Sequence, residues 1–91
     1  MPTVHLLIKG DVQGVFYRAT AREVADKLNI KGWIKNTKDG NVEAVVTADD
    51  NSLQKFIEWC KKGPPKATVE DVAVTQNEEM LFDEFSVIRG R

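Results

Sequence analysis

The chain predicts a two-layer α+β fold, an antiparallel sheet with two helices packed on one face. Three observations carry that prediction. Several short stretches alternate apolar and polar residues with period two, and two longer stretches repeat apolar residues with a helical period. One tight turn falls between the second and third alternating stretches, where a hairpin belongs.

Thr3 to Gly10 sets Val4, Leu6 and Ile8 against His5, Leu7 and Lys9, a strand with one strongly apolar face. Gly10-Asp11-Val12-Gln13-Gly14 interrupts it with a glycine at each end. From Tyr17 to about Asn29, Tyr17, Ala21, Val24, Ala25 and Leu28 line one side of a helix, and Glu23 pairs with Lys27 on the other. Gly32 to Asn36 starts a second strand, Asp39-Gly40 marks the turn, and Val42 to Ala48 forms a third strand. A second helix is expected to begin near Asp50 or Asn51, both good N-caps, with Gln54 three residues after Asn51. Leu53, Phe56, Ile57 and Cys60 form its buried stripe, and Lys61-Lys62 before Gly63-Pro64-Pro65 closes it. Val69 to Thr75 reads as a fourth strand, Gln76 to Glu84 as an acidic loop, and Phe85 to Ile88 as a short terminal strand. The order β-α-β-β-α-β, with right-handed crossovers, is the ferredoxin-like split βαβ sandwich. An open parallel sheet is the alternative, and the Asp39-Gly40 hairpin argues against it.

Ninety-one residues suit one domain over 1–91, and a hydrophobic content of 42% suits a packed core. No apolar run approaches the roughly 18–20 residues that a membrane span needs. The N-terminus has no signal-peptide pattern and Cys60 has no partner for an intramolecular disulfide, so a reducing cytoplasm is the expected compartment. Thirteen basic and fourteen acidic residues leave a net charge of −1. The only basic clusters are Lys61-Lys62 and Arg89/Arg91, which disfavours an electrostatic nucleic-acid binder. With His5 the only histidine and Cys60 the only thiol, no zinc set of soft ligands can be assembled. A nucleophile paired with His5 would have to work from inside a strand. His5 is expected on the open sheet face, Cys60 in the core as an inert thiol, and Trp33 and Trp59 in packing roles.

The topology places a candidate site. Strands one and two run to the same edge with strand three between them, so their ends lie about 9–10 Å apart. The Gly10–Phe16 loop, the start of helix one and Asn36 share that edge, and Asn36 has the parity of core-facing Ile34. Gly14 and Val15 stand where Ser, Thr, Asp or Asn would normally cap the helix. The first turn carries Arg18 and no acid, although the helix dipole disfavours a cation there by about 0.3–1 kcal/mol. Arg22 repeats the charge one turn on. Uncapped amides, a glycine-bounded loop and an arginine describe an anion site, most often for phosphate. The alternative is a solvated Arg18 beside glycines that merely permit a turn.

Ile8-Lys9-Gly10-Asp11-Val12-Gln13-Gly14-Val15-Phe16-Tyr17-Arg18 resembles the first signature of the acylphosphatase family. Gly32-Trp33-Ile34-Lys35-Asn36-Thr37-Lys38-Asp39-Gly40-Asn41-Val42-Glu43 resembles the second, and the resemblance covers essentially the whole chain. It implies the split βαβ fold and a monomeric, cofactor-free hydrolase. The implied substrate is a small acyl phosphate, with inorganic phosphate as product and inhibitor and no nucleic-acid or membrane partner. It further implies that Arg18 binds the phosphate, that Asn36 orients the attacking water and that Thr37 supports Asn36. The backbone of Gly10, Asp11, Val12, Gln13, Gly14, Val15 and Phe16 is implied as the phosphate cradle. Tyr17, Asp11 and Ala48 depart from the family's usual Phe or Met, Arg and Gly. The Asp11 carboxylate is expected to weaken binding of an anionic substrate. Rival readings of such a sheet are a noncatalytic binding module, the corresponding domain of a larger carbamoyl-transfer maturation protein, and a small-molecule sensor. Strands one and three offer His5, Leu7, Glu43, Val45 and Thr47, with no aromatic for stacking a base. The chain also lacks the zinc-finger cysteines of the carbamoyl-transfer protein.

Overall fold

A computed structural model describes residues 1–89. The elements are β1 (Thr3–Asp11), α1 (Tyr17–Lys27), β2 (Lys31–Asn36), β3 (Val42–Thr47), α2 (Asp50–Lys62), β4 (Thr68–Asn77) and β5 (Phe85–Ile88). They form one five-stranded sheet in the order β4-β1-β3-β2-β5.

Alternation decides which face is buried. Val4, Leu6 and Ile8 of β1, Ile34 of β2, and Val42, Ala44 and Val46 of β3 point toward the helices and join one core. Tyr17, Ala21 and Ala25 of α1 and Leu53, Phe56 and Cys60 of α2 close it from the other side. Phe56 meets Phe85 edge-on at 6.0 Å, which ties α2 to β5. Ala48 is buried in the same core, so this departure from the family pattern is absorbed by packing.

The three pairings among β4, β1, β3 and β2 meet the expectation of an antiparallel sheet, but the fifth strand does not. β5 adds to β2 in parallel, with Gly32 opposite Phe85 and Ile34 opposite Val87. β4 continues to Asn77, which pairs with Thr3, and the chain then crosses the starting ends of β1 and β2. Thr3 Oγ1 accepts from the Met80 amide at 3.1 Å, and the Gly32 amide donates to Glu84 O at 3.0 Å. That crossing reverses the direction in which β5 enters the sheet and carries its C-terminal end to the edge that holds Asn36.

The helix ends differ from the sequence reading in detail. Asp49, not Asp50 or Asn51, is the N-cap of α2, accepting from the Ser52 amide at 2.8 Å. The carboxylate one residue earlier reaches the amide three positions on, the usual N-cap geometry. α1 ends at Lys27 instead of Asn29, because Asn29 takes a positive φ of 59° that breaks the helix. On the open face, His5 Nε2 lies 2.7 Å from Glu43 Oε2, and Lys35 Nζ sits 5.4 Å from the Trp33 ring centre.

Candidate active site

The chain leaves β1 through a five-residue loop, Val12–Phe16, and enters α1. Gly10 and Asp11, expected in that loop, are strand residues, paired with Val69 and Thr68 of β4 past a register shift after Lys9. The loop is therefore shorter than expected. Val12 is 1% exposed and pins the start of the loop in the core. Gly14 has φ 74°, and a Cβ there would meet nothing within 4 Å, so its glycine serves the backbone angle and not a lack of space.

Phe16 takes φ 63° and ψ 24° at the N-cap position of α1. A non-glycine residue in this left-handed region costs about 1–2 kcal/mol, and a ring that is 74% exposed recovers little by burial. Its side chain makes no capping hydrogen bond, and the first turn holds no acid. No described backbone carbonyl accepts from the amides of Gly14 through Ala19. The amide dipoles at this helix end are thus open to a ligand.

Arg18 stands one residue into α1. Its Nη1 donates to Ile88 O at 3.0 Å, and the guanidinium has no other partner among the described residues. The parallel β5 supplies that carbonyl, so the strand that departs from the expected antiparallel sheet is the one that accepts from the arginine. Behind Arg18, Tyr17 is buried and donates its hydroxyl to Cys60 O at 2.7 Å, joining α1 to α2. Burial raises the Tyr17 hydroxyl far above its ordinary range and pushes the Cys60 thiol up to about 12, so both stay neutral and unreactive at neutral pH. Tyr17 in place of Phe or Met is a structural substitution with a satisfied hydroxyl.

Arg18 and Asn36 line one cleft of about 240 Å³ with Val12, Gly14, Phe16 and Arg89. Asn36 ends β2 with its carboxamide unpartnered among the described residues. Thr37 does not hold Asn36 directly. Its hydroxyl accepts from the Asn41 amide at 3.1 Å and its own amide donates to Asn41 O at 2.9 Å, so it closes the hairpin that follows Asn36. Asp11 is exposed and does not line the cleft, which removes the expected close repulsion of an anion. Among the described residues, no group of three or more His, Cys, Asp or Glu side chains comes together to hold a metal ion.

Two placements in this region were not legible in the sequence. Arg89 follows β5 and reads in sequence as half of a charged terminal pair, with Arg91 outside the described residues. It enters the cleft because β5 runs parallel to β2. Gln13 was expected to act through its backbone, yet its side-chain amide donates to Thr37 O at 2.8 Å and Asn41 O at 2.7 Å.

The chain is similar to known proteins along nearly its whole length. The acylphosphatase family model matches residues 4–87. An acylphosphatase of Methylococcus capsulatus is 43% identical over 94 residues, covering 98% of each chain. One of Haloquadratum walsbyi is 42% identical over 85 residues, covering 93% of this chain and 91% of its own length. The crystal structure of acylphosphatase from Bacillus subtilis superposes with a TM-score of 0.94 at 36% identity, covering 98% of this chain and all of its own. A match of this extent, over both strands and loop that build the cleft, shows that the chain belongs to the acylphosphatase family.

Proposed function

We propose that the chain hydrolyses acyl phosphates, the mixed anhydrides of a carboxylic and a phosphoric acid, to a carboxylate and inorganic phosphate. The observation that carries the reading is the cleft itself. Arg18, Asn36 and a run of amides without backbone acceptors converge there in a chain of this family.

Arg18 binds the phosphoryl group through its planar fork, and the amides of Gly14 to Arg18 supply fixed donors around it. Arg89 adds a second positive charge at the rim. Asn36 holds a water by its carboxamide, in line with the bond to be broken. Water oxygen bonds to phosphorus, the bond from phosphorus to the acyl oxygen breaks, and the carboxylate leaves with the electron pair. The water's proton passes to a phosphoryl oxygen. The departing acid has a pKa of about 4–5, so it leaves as an anion without a protein acid. Positioning and charge stabilisation then suffice for a loose transition state, without histidine, thiol or metal in a named role.

The reading extends to a monomer that works in the cytoplasm on a small molecule and not on nucleic acid or membrane. The balanced charge supports the first exclusion, and no described helix is long and apolar enough to cross a membrane. The test is hydrolysis of acetyl phosphate and of an aromatic acyl phosphate, with and without EDTA. Equal rates in both buffers, competitive inhibition by inorganic phosphate and no turnover of simple phosphate monoesters are expected. Inactivity on both acyl phosphates overturns the reading, and activity lost in chelator overturns its metal-free form.

A further inference from the structure

The two halves of the cleft come from separate parts of the chain. The anion-facing half is the Val12–Phe16 loop with Arg18, and the other is β2 with Asn36 and the hairpin Thr37–Asn41. Among the described side-chain hydrogen bonds, only those of Gln13 join the loop to that hairpin. Both acceptors are carbonyls, so the amide nitrogen must face them, and its two hydrogens are both used.

The two carbonyls do not need Gln13 in order to be satisfied. Asn41 O already accepts from the Thr37 amide at 2.9 Å, and Thr37 O from the Gly40 amide at 3.3 Å. Removing the Gln13 side chain therefore orphans nothing in the hairpin, and its contribution to the fold is small. The loop has its own anchors as well, buried Val12 at one end and α1 at the other. What the Gln13 amide adds is the relative placement of two halves that are each held independently.

We propose that Gln13 is a positioning residue for the hydrolysis. It locks the phosphate-facing loop to the hairpin and so sets the distance between the bound phosphorus and the water held at Asn36. This rests on the proposed acyl phosphate hydrolysis. A displacement on the order of 1 Å between reacting groups is worth about 10²-fold in rate. Gln13 touches neither reactant in this role, so its loss belongs in kcat and not in phosphate affinity.

The experiment uses the full chain, an acyl phosphate substrate and inorganic phosphate as inhibitor. Gln13→Met keeps the length and removes both donors. It is expected to lower kcat about 10–100-fold while the phosphate inhibition constant stays within about 3-fold. Gln13→Glu sets a carboxylate against two carbonyls and is expected to lose more at neutral pH. It should regain activity relative to Gln13→Met as acid protonates the carboxyl and restores one donor. Wild-type kcat in Gln13→Met overturns the positioning role, and so does a kcat loss matched by an equal loss of phosphate affinity. An inactive wild type overturns instead the hydrolytic reading on which the proposal stands.

Discussion

The two helices of this fold begin in opposite ways. α2 starts with Asp49, whose carboxylate accepts from the Ser52 amide, and carries Asp50 in its first turn and Lys61 and Lys62 in its last. Each of those charges suits the helix dipole. α1 starts with Phe16 in a left-handed conformation, with no side-chain cap and no first-turn acid, and with Arg18 where a cation is disfavoured. Both helices pack on the same face of the same sheet, so the fold does not require the poorer start. A helix beginning optimised for stability has its amides satisfied from within. A beginning that leaves its amides open, and holds a cation beside them, suits an anion supplied from outside.

The largest expected effects follow from emptying the open end. Arg18→Ala should weaken phosphate binding and collapse kcat together, and Arg18→Lys should fail badly because an ammonium lacks the planar fork. Asn36→Ala should cut kcat by about 10²–10³-fold with phosphate affinity near that of the wild type. Both variants should stay folded, which circular dichroism and melting would show. If Asn36→Ala weakens phosphate binding and leaves kcat intact, the asparagine is a clamp on the anion and not a holder of water.

A smaller effect comes from making α1 begin more like α2. Phe16→Asn tolerates the left-handed angles and should raise stability by about 1 kcal/mol in denaturant unfolding, the cost of the strained residue. A drop in stability would mean that the ring supports the fold despite its exposure. The converse change, Asp49→Ala, should lower the melting temperature by a few degrees and leave kcat and KM unaltered. Asp49 also sets a pH signature. Its hydrogen bonds to Ser52 hold the carboxyl below the ordinary value of 3.8, so its stabilisation is present above that value and lost as pH falls through the lowered one. The stability difference between wild type and Asp49→Ala should therefore shrink below about pH 4. The smallest effect belongs to Asp11→Asn, which should change KM less than about 3-fold at physiological salt. The charge lies outside the cleft lining and is screened over roughly 8 Å.

The fold was legible because period and punctuation agreed: Val4, Leu6 and Ile8 alternate, Asp39-Gly40 turns, and Gly63-Pro64-Pro65 stops a helix. The shared edge of Arg18 and Asn36 was legible for a second reason, since strand order brings their ends of the chain together, whereas the roles expected of them came from the family resemblance. Three things were not. Four residues, Phe85–Ile88, carry no mark of parallel or antiparallel pairing, so the route of β5, and with it Arg89, came only from how the preceding loop crosses the sheet. Across a register shift between Lys9 and Gly10 the strand continues through Gly10 and Asp11, and glycine signals a strand irregularity and a loop alike. Gln13 looks like any polar loop residue until its two acceptors, from Thr37 and Asn41, are placed beside it.

Titrating inorganic phosphate against the amide NMR spectrum tests the open helix end most directly, because α2 provides a control within the same spectrum. Amides of Gly14 to Arg18 and the Asn36 signals should shift first and together, while those of Asn51 and Ser52 at the capped start of α2 stay in place. Shifts at Asn51 and Ser52 of equal size, or shifts centred on His5 and Glu43 of the open sheet face, would contradict an anion site at the start of α1.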